Sequence, residues 1–127
     1  MADHAPSAAM PLPRLIHGGA DDPLLPQLLT SIRQASEVEL AVSFIKSTGL
    51  ALIFYALSER CNQQRPVRIR IITSDYLGVT DPQALRSLML LSERGADVRV
   101  FETRGRSFHL KAYIFTREGG NRGEAFI

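Results

Sequence analysis

The stretch SFHLKAYIF, residues 107–115, decides the predicted fold of this chain. Its β-branched and aromatic residues are typical of a β-strand, and Gly105 lies just before it. Side chains of a strand alternate between its two faces, so His109 and Lys111 are predicted to point the same way. A His and a Lys are unusual in an apolar strand, because burying an unpaired charge costs on the order of several kcal/mol. We therefore expect the pair to face a polar cleft at a strand end.

A histidine beside a lysine has either a structural or a chemical explanation. The structural one is a hydrogen-bonded core histidine next to a lysine whose ammonium group reaches water. The chemical one is a phosphodiesterase, in which the imidazole attacks phosphorus to form a phosphohistidine and the ammonium group stabilises the non-bridging oxygens. A second histidine would protonate the leaving oxygen and then activate water, so this chemistry needs no metal and no cofactor.

The rest of the chain alternates between helical and extended patterns. Helices are predicted over residues 21–35, 50–60 and 80–95. An aspartate of Asp21-Asp22-Pro23 is predicted to cap the first helix, and either Thr80 or Asp81 the third. Strands are predicted over residues 38–45, 67–73, 97–102 and 107–115, and a turn at 119–123 leads to one more strand. This order predicts an α/β sandwich with a mostly parallel sheet, helices packed on it, and a β-hairpin at the end.

Two of these strands carry further expectations about their faces. The first, residues 38–45, ends in a nearly continuous apolar run, which predicts a strand covered on both faces. In the second, Arg68 and Arg70 are predicted to lie on the face opposite Ile69 and Ile71.

Four further residues are candidates for contacts with phosphate or nucleic acid. Arg104 and Arg106 form a basic turn just before the His/Lys pair. Ser43 and Ser74 lie near the carboxyl ends of predicted strands, where ligands of open α/β sheets collect.

Composition limits the class of protein. The 127 residues, 45% of them hydrophobic, suffice for one domain, predicted over residues 21–127 after a flexible lead-in at 1–20. A single cysteine argues against a disulfide scaffold and a zinc site, and no signal peptide or membrane-length apolar run is present, so we expect a cytoplasmic protein without a membrane partner. The net charge is +2, with the basic excess in residues 60–111, which suits a phosphate-bearing partner or a solvated surface.

Two stretches together resemble a known family. HLK at residues 109–111 resembles the H-x-K half of the H-x-K-x4-D motif of the phospholipase D superfamily. With ITSDYLGVTDP at residues 72–82, the chain resembles more closely, over roughly residues 22–127, the phospholipase D-like nuclease module found at the N-terminus of some bacterial DEAD/DEAH-type helicases. The resemblance implies a phospholipase D-like sandwich fold.

The resemblance also implies roles and partners. His109 matches the nucleophile and Lys111 the phosphate-binding lysine. The family builds one site from two motifs, so a symmetric homodimer would complete the site, and a helicase domain is expected in the same full-length chain. Nucleic acid, in the first place DNA, is the implied substrate.

The sequence departs from the family pattern at Thr116, which stands where the motif has Asp. The Gly-Ser-x-Asn element would follow Ile127, so we expect the chain to be the N-terminal part of one domain, incomplete at its C-terminus and inactive alone. The alternative is a non-catalytic module that binds or targets nucleic acid. Lipid head-group hydrolysis is less favoured, because no amphipathic membrane-binding helix is evident.

Overall fold

In the part of the chain that the structure describes, three helices alternate with the first three strands, and two further strands follow. The structure is a computed structural model that describes residues 12–119 and 123–127. The helices are α1 (Leu24–Gln34), α2 (Ser47–Cys61) and α3 (Pro82–Glu93), and a short 3-10 turn covers Tyr76–Gly78. The strands are β1 (Glu37–Val42), β2 (Arg68–Ser74), β3 (Asp97–Phe101), β4 (Lys111–Thr116) and β5 (Gly123–Phe126). The α/β class predicted from the sequence is confirmed.

The five strands form one mixed sheet in the order β3-β2-β1-β4-β5. β1 pairs in parallel with β2, and β2 with β3, whereas β4 is antiparallel to both β1 and β5. The prediction of a mostly parallel sheet is therefore wrong for the second half. A parallel return needs a crossover of about a dozen residues or more, usually a helix, and the short non-helical segment 102–110 does not provide one.

The β-hairpin predicted at the end of the chain is confirmed by the antiparallel pairing of β4 with β5. Within the predicted turn, residues 120–122 lie outside the described residues. Residues 1–11 of the predicted lead-in lie outside them as well.

The core lies on one face of the sheet. Val38, Leu40 and Val42 of β1 are buried in alternation, and the register places Ile71 and Phe115 on the same face. All three helices contribute to this cluster, through Leu28, Ile32, Leu50, Ala56, Leu57, Ala84, Leu88 and Leu91. The described residues thus form two layers, one of helices and one sheet. None of these helices is both long and apolar enough to cross a membrane.

The opposite face of the sheet is open within the described residues and carries charge. Arg68 and Arg70 lie on it, as predicted, and Arg70 forms ion pairs with Glu37 at 3.2 Å and with Glu39. The prediction that β1 is covered on both faces is wrong, because Glu37 and Glu39 face this open side and are only half-buried. The apolar residues at the end of β1 made the alternation of buried and half-buried side chains along the strand hard to recognise from the sequence.

The helix α1 begins without the predicted aspartate cap. Its N-cap is Pro23, and the Asp22 carboxylate instead accepts a hydrogen bond from the backbone amide of His17 at 3.0 Å. No side chain caps the start of α1, which is made of prolines and leucines, so packing of the leucines sets the orientation of the helix. The nearest aspartate, Asp22, instead closes a turn in the segment before the helix.

The helices α2 and α3 begin at one common aspartate. The Asp81 carboxylate accepts from the Ala84 amide at 2.7 Å, and Pro82 is the first residue of α3, so Asp81 rather than Thr80 is the cap. Its other oxygen accepts from the Ser47 amide at 2.9 Å, at the start of α2. Hydrogen bonds from the Ser47 and Ala84 amides lower the pKa of Asp81. Both helix N-termini are thereby fixed beside each other.

Candidate functional site

The candidate residues converge on one edge of the sheet. β1 and β2 are parallel and end at this edge, while β4 is antiparallel to β1 and therefore begins there. The last residue of β1, Val42, pairs with the first residue of β4, Lys111. Ser43, Ser74 and the segment 102–110 that leads into Lys111 consequently meet at this carboxyl edge.

His109 lies in a loop rather than in a strand. The predicted strand over residues 107–115 begins only at Lys111, because β1 ends at Val42 and offers no further strand for the preceding residues to pair with. The alternation argument therefore does not apply to His109. Both His109 and Lys111 are exposed. Lys111 lies at the end of a strand, as the sequence predicted, whereas His109 lies two residues before the strand.

The two serines hold the backbone between His109 and Lys111. Ser43 is 1% exposed, and its backbone amide and hydroxyl both donate to the Leu110 carbonyl, at 2.7 Å and 3.0 Å. Ser74 is fully buried, and its hydroxyl donates to the Ser43 carbonyl. The geometry thus gives both serines a positioning role. Their contact with phosphate or nucleic acid stays a prediction.

Hydrogen bonds also connect the stretch 72–82 to the carboxyl edge of the sheet. The Ser74 hydroxyl accepts from the Tyr76 amide at 3.2 Å, and the Thr80 hydroxyl donates to the Ser74 carbonyl at 2.9 Å. The Ile45 amide donates to the Thr80 hydroxyl at 3.1 Å. Sequence reasoning weighed Thr80 only as a helix cap, and its link between the ends of β1 and β2 was missed.

Asp75 anchors the loop that contains His109. Its carboxylate accepts from the hydroxyl and the backbone amide of Thr103, at 2.7 Å and 2.9 Å. These two bonds lower the pKa of Asp75, the hydroxyl bond most strongly. Sequence reasoning missed this anchor, although an aspartate directly after a buried parallel strand was a signal that could have identified it.

The basic turn continues from Thr103 toward His109. Arg104 adopts a left-handed conformation with φ of 46°, and its guanidinium pairs with Glu102 at 3.1 Å on an exposed surface. The Arg106 guanidinium lies over the Phe101 ring, 5.3 Å from its centroid. Both arginines are exposed and belong to the same loop as His109.

Thr116 lies at the opposite end of β4 from Lys111. Five residue steps of extended strand lead from Lys111 to Thr116, which corresponds to about 17 Å. The Thr116 carbonyl accepts hydrogen bonds from the Ser36 amide at 2.7 Å and the Ser36 hydroxyl at 3.0 Å. The residue at this position therefore contacts the connection between α1 and β1, at the end of β4 opposite Lys111.

Within residues 12–119 and 123–127, no three or more His, Cys, Asp or Glu side chains are grouped so that they could hold a metal ion. Cys61, on α2, is half-buried, and burial raises the pKa of its thiol.

We expect protonation of Asp75 to release the loop. Because the folded state lowers the pKa of Asp75, the anchor is fully present above the ordinary value of 3.8 and is lost as the pH falls through the lower folded-state pKa. The chemical shift of the Thr103 amide, followed by NMR down to about pH 2, should report this loss. Asp75→Ala should show the released shift at every pH, whereas Asp97→Ala, which removes an exposed pair with Arg99, should titrate like the wild type. A Thr103 amide that does not respond to Asp75→Ala would contradict the anchor.

No protein-family model matches the chain, and no curated protein matches it either. The resemblance to the phospholipase D-like nucleases stays a prediction from the residues quoted above.

Proposed function

We propose that the chain is a phospholipase D-like, metal-independent phosphodiesterase module that acts on nucleic acid, in the first place DNA. The observation that carries the proposal is the anchoring of the H-x-K segment. His109 and Lys111 are both exposed, while the carbonyl of the residue between them accepts two hydrogen bonds from buried Ser43. Two reactive side chains on a fixed backbone are what in-line attack on a phosphodiester requires.

In the proposed reaction, an imidazole nitrogen of His109 attacks phosphorus, and the bond to the leaving oxygen breaks. The Lys111 ammonium group stabilises the charge that builds on the non-bridging oxygens. A second imidazole donates a proton to the leaving oxygen and then takes a proton from the water that hydrolyses the phosphohistidine. In this proposal, the second imidazole is His109 of a second copy in a symmetric homodimer, and a helicase domain belongs to the same full-length chain.

The position of Thr116 is compatible with this chemistry. A residue about 17 Å along β4 from Lys111 does not contact a phosphate held at Lys111. The lack of a carboxylate at Thr116 therefore affects packing where β4 meets the connection between α1 and β1. It does not remove a group that touches the phosphate.

Trapping the covalent intermediate tests the proposal. The protein at its natural length is mixed with a bis-aryl phosphodiester in excess chelator, quenched, and digested for mass spectrometry under conditions that preserve phosphohistidine. We expect a phosphoryl adduct on the peptide that contains His109 and none in His109→Asn. His17→Asn is the matched control, since His17 is also exposed and lies in the segment before α1. Hydrolysis that proceeds without an adduct and survives His109→Asn would refute the proposal.

A second candidate is a catalytically impaired module that binds or targets nucleic acid. The exposed Arg104, Arg106 and Lys111 favour it, because phosphate contacts give affinity without chemistry. This candidate predicts DNA binding that survives His109→Asn and weakens with salt. Arg104→Ala combined with Arg106→Ala should then reduce the salt slope by about two. Binding without any hydrolysis by the natural-length protein would favour this second candidate.

A further inference from the structure

Two phenylalanines stack beside His109. Phe101 is the last residue of β3, and Phe108 directly precedes His109. Their ring centroids are 5.2 Å apart with an interplanar angle of 27°, and the Arg106 guanidinium lies 5.3 Å from the Phe101 centroid. The three side chains form one cluster, which we call the Phe101–Phe108–Arg106 stack.

The surroundings of the stack are exposed and basic. Every residue from 104 to 111 except Phe108 is exposed, and Phe108 itself is only half-buried. Within the described part of the chain, neither Arg106 nor Lys111 forms an ion pair, whereas Arg104 is paired with Glu102. Unneutralised positive charge interleaved with aromatic rings is the combination that binds single-stranded nucleic acid, through phosphates and stacked bases respectively.

We propose that the Phe101–Phe108–Arg106 stack is a platform for an unpaired base, so that the site selects single-stranded nucleic acid. The inference rests on the proposed function for the identity of the ligand. A phosphodiester held at His109 brings the base of an adjoining nucleotide to the neighbouring residue, Phe108. In a duplex that base is already stacked between its neighbours and is not free to bind.

Arg106 adds to the platform in two ways. Its planar guanidinium extends the stacked surface, and its delocalised positive charge attracts phosphate. Since every base has a π-face, recognition by stacking predicts little dependence on base sequence.

Binding of short oligonucleotides tests the platform. The affinity of the natural-length protein is measured for an oligothymidylate and for an abasic oligonucleotide of the same length, which has the phosphates without the bases. Phe108→Leu keeps apolar volume but removes the aromatic face, and should weaken binding of the oligothymidylate about ten-fold. Binding of the abasic strand should be unchanged. Phe108→Trp keeps an aromatic face and should retain the affinity. Phe126→Leu is the matched control, because Phe126 on β5 packs against Phe115 on β4 and lies outside the stack.

The outcomes separate the platform from the chemistry. If Phe108→Leu binds the oligothymidylate like the wild type, or loses affinity equally for both strands, the platform is refuted. Turnover of a bis-aryl phosphodiester by the wild type is measured separately, because it tests the proposed function and not the platform. If no protein hydrolyses that substrate, the proposed chemistry fails, and the binding data still decide the platform.

Discussion

Replacing His109 by Ala is expected to lower turnover of a bis-aryl phosphodiester by at least about 10³-fold, measured as kcat/KM in excess chelator. The substitution removes the atom that forms the bond to phosphorus, in both copies of the proposed homodimer. Because His109 is exposed and lies in a loop, the folded state should be unaffected.

Two controls make this result specific. His17→Ala removes an exposed imidazole from the segment before α1 and should leave turnover unchanged. Free imidazole added to His109→Gly should restore part of the rate, since a small nucleophile can occupy the vacated space. A rate that stays within a factor of about two of the wild type in His109→Ala would exclude the proposed nucleophile.

Replacing Phe115 by Ala is expected to lower the free energy of unfolding by about 3–5 kcal/mol. Phe115 is 1% exposed, sits on β4 in the core cluster, and meets the Phe126 ring edge-on with centroids 6.0 Å apart. The loss should be read from the midpoint of urea denaturation at unchanged slope. A domain of this size is stable by only about 5–15 kcal/mol, so the loss is a large fraction of the total.

Tyr55→Ala is the matched control for Phe115→Ala. Tyr55 is an aromatic residue on α2 that is 80% exposed, and its loss should change stability by no more than about 0.5 kcal/mol. Phe115→Leu keeps most of the volume and should cost about 1.5 kcal/mol or less, so it can be measured even if the alanine variant does not fold. A change below about 1 kcal/mol in Phe115→Ala would contradict the central place of β4 in the core.

The order of elements was predictable because the local signals agree with the fold. Alternation in β2 placed Arg68 and Ile69 on opposite faces, and the signals at residues 80–82 marked the start of α3, although they left Thr80 and Asp81 both open as its cap. The placement of the candidate residues at one edge of the sheet was predictable for the same reason. Polar residues that follow buried strands, such as Ser43 and Ser74, fall at the carboxyl edge of the sheet.

The roles of these serines were not predictable from neighbouring residues. The Ser43 hydroxyl donates to the Leu110 carbonyl, 67 positions away, and no local pattern indicates such a partner. The direction of β4 depends on a long-range pairing as well, that of β4 with β1. The same pairing explains why the strand begins at Lys111 and does not include His109. Asp22 shows the opposite case. The local sequence favoured an aspartate cap at the start of α1, but the Asp22 carboxylate accepts a hydrogen bond from the His17 amide instead.

The central position of β1 has a consequence for the order in which the molecule assembles. Helices α1 to α3 and strands β1 to β3 can associate through connections between consecutive elements, which are formed early because they close short loops. The pairing of β1 with β4 must instead close the long loop between Ser43 and Leu110, at a greater cost in chain entropy. We therefore expect His109 and Lys111 to reach their places in the last step of folding, when the rest of the sheet already exists.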